Sequence, residues 1–395
     1  MKFFKILAPI TAAFVLASCN SDGGGLNRAE IPEGGDGGIP NRVKVDYSLG
    51  RAMNQRLGHG INMGNSWESA GTGAQPDCGW GNCLKDEDLQ IVKAAGFNSV
   101  RIPVRWSHDA NIVAPYTIDD VRLAGVKEDI KLANSLGMPV VVNFHHYLDL
   151  NNAAMDYENN PEIFNEELQR FSAMWVQVAQ GLNDIPDDMI VFEIMNEPNN
   201  IKKASTVNLI MTAGYNAIRS VTLTKTIMFE ANGYSKFANI KQLDLPQDGN
   251  IIVSGHYYDP YPFTHQGTAD MYPCGATIAS SDLSNVAKNF KQYVDSAKAY
   301  FPDVDGVHSV PLNMGEFGAI GRTGSFCRDE APSEAMRAQW TNYVIKAAES
   351  YGISWHYWAY GKTSGFQAYN QDAGDWFPEM KKVFDTYTVK AFPTM

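Results

Sequence analysis

The sequence predicts an α/β fold, a closed (β/α)8 TIM barrel built as one domain, and three observations lead there. From residue 42 onward short apolar runs alternate with helical patterns, and strands joined by crossover helices form a parallel sheet. There are eight such runs, the number at which a sheet of this kind closes on itself. Polar and aromatic residues gather just after seven of the eight runs, at the C-terminal strand ends where barrels of this type carry their chemistry.

The strand candidates are 58–63, 99–104, 139–144, 189–195, 226–229, 251–255, 310–314 and 353–358. Each is short, apolar and bounded by turn residues, as expected of a strand covered on both faces. Helical patterns fall at 87–95, 118–136, 164–182, 206–221, 283–300 and 333–351. No short internal repeat and no second linker interrupts the series.

Ahead of the barrel, residues 1–19 read as a targeting segment. Lys2 and Lys5 form a basic start, 6–16 an apolar core too short for an ordinary membrane span, and Leu16-Ala17-Ser18-Cys19 a small-residue cleavage region. That tetrapeptide is similar to the bacterial lipobox, in which the cysteine becomes N-terminal and lipidated. A plain secretory peptide cleaved nearby is the alternative. The expectation is an exported chain held to a bacterial membrane or cell surface through Cys19, touching the membrane there only. Residues 20–41 are glycine-rich and bury too little apolar surface to order themselves, so they read as a tether. The barrel domain is then 42–395.

Composition narrows the partner. With 44% hydrophobic residues the chain can bury a large core, and a net charge of −12 argues against nucleic acid, whose phosphates require clustered Lys and Arg. A neutral substrate and a monomer fit this balance. Once Cys19 is assigned to lipid, Cys78, Cys83, Cys274 and Cys327 remain, and three pairings are open. The preferred one joins 78 to 83 and 274 to 327. Zinc competes with it, although neither pair has the two-residue spacing with histidine partners that zinc sites favour.

Two strand ends carry glutamates. Glu197 follows Met189–Asn196 and precedes Pro198, which cannot continue a strand ladder; Glu316 lies between Gly315 and Phe317-Gly318. A single loop carboxylate is ordinarily solvated surface. Paired at the mouth of a barrel, however, two carboxylates are what glycoside hydrolysis needs, one protonating the leaving oxygen while the other attacks the anomeric carbon or activates water. On that chemistry Glu316 must stay ionised, with Arg101 and Tyr258 as its stabilisers. Glu197 must keep a proton, its pKa raised by apolar surroundings and by Glu316. Asn196 is placed to bind a sugar 2-hydroxyl, Trp358 to offer a flat apolar face, and His145 and His256 to orient hydroxyls or the carboxylates. Asn62, Trp67 and His146 complete the candidate lining.

Several of these have plainer readings. Arg101 inside an apolar run must be paired and could be a structural ion pair. Adjacent residues on a strand point to opposite faces, so His145 and His146 are not expected to ligate one metal, and Trp355 and Trp358 should separate likewise. Trp67, Trp80, Trp106 and Trp376 could be sugar platforms or packing. No metal and no cofactor is expected.

Together the segments Gly60–Glu68, Gly96–Val104, Asn143–His146, Asn196–Pro198, His256–Tyr258, Gly315–Gly318 and Trp355–Trp358 make the chain resemble glycoside hydrolase family 5, from about residue 47 to 384. The resemblance implies a retaining barrel hydrolase with Glu197 as acid/base and Glu316 as nucleophile. It places Arg101, His145, Asn196, His256, Tyr258 and Trp358 around the point of cleavage, and it implies no cofactor. The motifs look most like those of endoglucanase-type members, so the expected substrate is cellulose-like or mixed-linkage β-glucan. A β-mannanase or xyloglucanase of the same mechanism is the first alternative, and a non-catalytic surface glycan-binding lipoprotein the remote one.

Overall fold

A computed structural model describes residues 43–69, 77–363 and 365–394 of the chain. The targeting segment with Cys19, the glycine-rich tether and the boundary at residue 42 lie outside the described residues. Eight parallel strands close in sequence order into a barrel: β1 His59–Asn62, β2 Ser99–Ile102, β3 Val140–Asn143, β4 Ile190–Glu193, β5 Thr226–Glu230, β6 Ile251–Tyr257, β7 Leu312–Phe317 and β8 Ser354–Tyr357. The expected (β/α)8 barrel is therefore the fold, and each strand lies where an apolar run marks it.

Inside the barrel, side chains two apart on a strand share a face. Val141, Val191, Met228 and Ile252 form an apolar floor together with Met53 and Leu57 of the helix Ser48–Leu57. Two residues further along the same strands stand Asn143, Glu193, Glu230 and Ser254, all buried and all polar. The interior thus changes from greasy to ionic within one turn of the pleat, and the ionic layer faces the C-terminal mouth.

β6 and β7 run further than the apolar runs predict. Their pairing survives a register shift between Gly255 and His256, which sets His256 opposite Glu316 in the ladder. Bulges of this kind re-aim side chains beside active sites. The six expected helices are present. The helices Ser48–Leu57, Leu148–Met155 and Pro378–Thr388 are additional. The first of these buries Gly50, Met53, Asn54 and Leu57 and is polar elsewhere, so it carries too few apolar residues to stand out.

Two outer helices fix the mouth. Pro161–Gly181 opens on a proline, which suits the first helical turn, and buries Phe164, Phe171, Met174, Trp175 and Val178 at helical spacing. Trp175 Nε1 donates to the Ile194 carbonyl at 3.0 Å, just before Asn196. Glu334–Glu349 is capped by Ser333, whose hydroxyl accepts from the Met336 N–H. From it Trp340 Nε1 donates to the Asp259 carbonyl at 3.0 Å, just after Tyr258. A buried indole needs such an acceptor, and here the acceptors are strand-end carbonyls flanking the site. Among the described residues no helix is long and apolar enough to cross a membrane.

Candidate active site

The site is assembled around Arg101 on β2. Its guanidinium is wholly buried and uses its whole fork: Nε donates to Glu193 Oε2 at 2.7 Å, Nη1 to Glu316 Oε1 at 2.8 Å and to Asn62 Oδ1 at 2.9 Å, and Nη2 to Asn196 Oδ1 at 2.5 Å. A planar cation with fixed donors can organise four groups in this way; a lysine could not. Tyr258 donates to Glu316 Oε2 at 3.0 Å, so both oxygens of that carboxylate are held. Gly315 beside it leaves no room for a side chain, since a Cβ would meet Ser254 Oγ at 2.6 Å and His256 Nε2 at 3.2 Å.

Glu197 sits across from Glu316, its side chain 27% exposed at the mouth. Its backbone is left-handed, with φ of 47°, an uncommon state for a side-chain-bearing residue that its surroundings must enforce. They do so from two sides. The Glu197 N–H donates to Glu230 Oε2 at 2.7 Å, and the Pro198 carbonyl accepts from the N–H groups of Gly233 and Tyr234. His256 then joins the two carboxylates: Nδ1 lies 2.7 Å from Glu197 Oε1 and 3.6 Å from Glu316 Oε2. One donor atom each from Glu197, His256 and Glu316 fall within 4.8 Å of one another. A small cation would need such a set of three, but Arg101 and Tyr258 already occupy Glu316, and His256 is bonded to Glu197.

The electrostatics correct one expectation. Burial pushes Glu197 up, but the hydrogen bond and positive charge of His256 outweigh it and take the carboxyl below its usual range. Burial raises Glu316, against the pull of His256 and Arg101. The direction is thus the reverse of that expected, because the imidazole lies closer to Glu197 than to Glu316. Burial also opposes charge on His256, yet Glu316, Glu230 and Glu197 hold its pKa well above the ordinary value. Burial takes His145 the other way, so that ring is neutral.

His145 and Trp358 form the opposite wall, their rings parallel with centroids 5.9 Å apart. Gly64 lets the indole lie there, since a Cβ would approach it to 2.8 Å. His146 stands beside His145, the rings 4.3 Å apart, and does not point to the other face as expected. The strand has already ended at Asn143, and His146 is left-handed at φ 54°, so the alternation of the pleat no longer applies. Trp355 separates from Trp358 as expected, packing outward against Phe97 and Phe384.

Two candidate lining residues do not line the cleft. Trp67 is 4% exposed and turned outward, its indole N–H donating to Asp129 at 2.6 Å and its ring filling the space over Gly125. Asn62 is fully buried and works on Arg101 and on the Gly315 carbonyl, which it reaches at 2.9 Å. Of the tryptophans left open, Trp106 and Trp376 are core, whereas Trp80 is 51% exposed with its ring edge toward His146. Trp80 lies in the loop that the Cys78–Cys83 disulfide closes, and Cys274–Cys327 joins the loops after β6 and β7. A groove of about 680 Å³ is lined by Trp80, Asn65, Lys362 and Gln371.

Sequence reasoning missed Glu193 and Glu230. Glu193 is a charge inside the apolar run Ile190–Ile194, the same signal that marks Arg101. Glu230 directly follows the predicted end of strand five, the one strand to which no polar terminus was assigned.

The family model for cellulases, glycosyl hydrolase family 5, matches residues 61–364. Endoglucanase H of Acetivibrio thermocellus is 25% identical over 343 residues, which are 86% of this chain and 33% of that protein. A xyloglucan-specific endo-β-1,4-glucanase of Bacteroides ovatus, BoGH5A, is 26% identical over 342 residues, 77% of this chain and 63% of that protein. The chain therefore spans a third of the first relative and under two thirds of the second. Among solved structures, Thermotoga maritima Cel5A in complex with mannotriose matches with a TM-score of 0.72 and 31% identity, over 85% of this chain and 99% of that one. The same figures hold for its complex with cellobiose. A matched segment covering most of the described barrel, and a solved barrel alike over nearly its whole length, place the chain: it belongs to glycosyl hydrolase family 5.

Proposed function

We propose that this protein is a retaining endo-β-1,4-glucanase acting on cellulose-like or mixed-linkage β-glucan, with Glu316 as nucleophile and Glu197 as acid/base. The observation that carries the mechanism is the approach of the two carboxyl groups, which have oxygens within 4.8 Å of each other. Retaining hydrolases hold their pair at about 5 Å, whereas inverting ones leave about 6.5–9.5 Å for a water. Glu316 attacks the anomeric carbon as the glycosidic bond breaks, and Glu197 gives its proton to the departing oxygen. Water then returns a proton to Glu197 while its oxygen adds to the anomeric carbon and frees Glu316.

The ligand-free proton balance suits this sequence once substrate is bound. A sugar chain over Glu197 removes its remaining exposure, and desolvation drives that carboxyl up. Arg101 and Tyr258 hold the charge left on Glu316. Several relatives bear the name endoglucanase, which supports a β-1,4-glucan substrate. The groove at Trp80, whose ring edge faces His146, supports binding of an extended chain.

Reducing-end release on carboxymethylcellulose, mixed-linkage β-glucan, xyloglucan and mannan, with the first-formed anomer read by NMR, tests both parts. We expect the first two substrates to be favoured and the β-anomer to appear first. Preference for xyloglucan or mannan would replace the substrate, and an initial α-anomer would overturn the mechanism. No release from folded protein would favour a glycan-binding role.

We further infer that residues 1–19 direct export, that Cys19 carries a lipid, and that 20–41 tether the domain to a membrane; the basic start, short apolar core and lipobox-like tetrapeptide support this. Cys19→Ala should move the protein from the membrane fraction to the soluble one. A variant that stays with the membrane refutes the anchor.

A further inference from the structure

We propose that Glu193 and Glu230 share one proton beneath the reacting carboxylates, and that Glu230 is thereby a positioning residue for His256 and Glu197. The inference rests on the reading of Glu197 and Glu316 as the reacting pair. It starts from oxygens that have no donor.

The two glutamates end adjacent strands, β4 and β5, and both are fully buried. One oxygen of each is well supplied. Glu193 Oε2 accepts from Arg101 and, at 3.1 Å, from Asn143 Nδ2; Glu230 Oε2 accepts from the Glu197 N–H and from Ser235. The remaining oxygen of each, Oε1, is buried without a donor. Arg101 Nη2 at 3.9 Å and His256 Nε2 at 3.4 Å lend charge to Glu230 Oε1 without completing a hydrogen bond. Ionised carboxylates carry only acceptors, and an unsatisfied buried acceptor costs about 1–3 kcal/mol. The two side chains stand in one layer on neighbouring strands, and Arg101 reaches both, Glu193 at 2.7 Å and Glu230 at 3.9 Å. One proton held between them supplies the donor that the orphan oxygens lack and removes the repulsion of two neighbouring buried charges.

Charge balance points the same way. The groups facing this layer are Arg101 from β2, His145 and His146 after β3, Glu197 after β4, His256 from β6, Tyr258 after it, Glu316 from β7 and His356 from β8. Burial keeps His145, His146, His356 and Tyr258 neutral, so with His256 protonated two positive charges meet four carboxyl groups. The layer is neutral when two of the four hold protons, one on the buried pair and one on the reacting pair. That is also the proton count with which the proposed reaction starts. Burial raises Glu193 to about 7, with Arg101 opposing and Glu230 reinforcing, while His256 and the bond from Glu193 take Glu230 down. The proton therefore sits on Glu193, and Glu230 keeps its charge toward His256.

Infrared spectroscopy of the ligand-free full chain near neutral pH tests this directly. Wild type should show a protonated-carboxyl band that disappears in Glu193→Gln and is perturbed in Glu230→Gln. Subtracting each variant from wild type removes the bands of other protonated groups. The pH–activity profile supplies the readout that a merely structural role would not move. In Glu193→Gln an amide N–H replaces the shared O–H and the pair keeps one negative charge, so both limbs should stay in place. In the double Gln variant that charge is gone, and both limbs should move to lower pH by about one unit, because a negative neighbour no longer raises Glu197 and Glu316. Two ionised carboxylates would instead make Glu193→Gln alone shift the profile acid and leave the infrared band untouched, and either result overturns the proposal. Should Glu230→Gln fail to fold, the Glu193→Gln spectrum and profile still decide. The infrared result needs no turnover, so failure of the shared proton and failure of the hydrolase reading can be told apart.

Discussion

Replacing Glu316 with alanine should lower kcat on β-glucan by at least about 10⁴-fold while the protein stays folded. The effect is large because, in the proposed mechanism, the side chain removed is the one that forms the bond, and nothing nearby can take its place. Glu197 is assigned to the leaving-group side, and Glu193 and Glu230 lie beneath, turned toward Arg101 and His256. Stability should change by no more than about 2 kcal/mol. Arg101 keeps Glu193, Asn62 and Asn196 as partners, and loss of one carboxylate also relieves a crowded layer of four. Initial rates measured beside thermal unfolding check this. A small anion such as azide, supplied to the vacated space with an activated aryl glycoside, should restore turnover with the opposite anomer. Retention of kcat within tenfold of wild type would remove Glu316 from the nucleophile's role.

The barrel was legible because parallel strands covered on both faces must be apolar throughout, and crossover helices must separate them. Val140–Asn143 and Ile190–Glu193 could hardly be read otherwise. Glu197, Glu316 and Tyr258 were legible for a related reason, since a charge or hydroxyl at the end of a buried run has few uses other than a site, and Arg101 because a charge inside such a run must be paired. What escaped was set by geometry beyond local pattern. The floor helix Ser48–Leu57 meets the barrel through a glycine and an asparagine as well as two apolar side chains and is polar elsewhere, so it holds too few apolar residues to stand out. Trp67 follows the Asn62–Asn65 segment in sequence but turns outward, because Gly125 on a neighbouring helix opens a slot for it. His146 departs from strand alternation through one left-handed residue. The direction of the two carboxyl shifts depends on about an ångström in where His256 leans, and no spacing in a sequence encodes that.

Arg101→Met should cost about 3–5 kcal/mol of stability at neutral pH, the penalty for breaking a buried ionic set by removing one partner. Methionine approximates the volume but donates nothing. Glu193 and Glu316 would lose their nearest full positive charge, and the amide oxygens of Asn62 and Asn196 their donor. Activity should fall with stability, since Glu316 would then take a proton more readily and Asn196 would lose the anchor that points it toward substrate. The loss should also depend on pH, in a direction fixed by linkage. Arg101 lowers the pKa of both Glu193 and Glu316 against the effect of burial, so without it both folded-state values rise further above the unfolded one. A carboxyl whose folded pKa is raised contributes stability that is complete below its unfolded pKa, near 4.5, and is lost as pH climbs toward the folded value. Wild type loses the same stability until pH passes its own folded values, about 7 for Glu193, so the gap between wild type and Arg101→Met should be constant below them and widen as pH rises through them. Urea unfolding of both proteins from about pH 4.5 to about pH 9 measures it. A gap that is constant with pH, or below about 1 kcal/mol throughout, would mean that Arg101 is not the charge that holds this layer together.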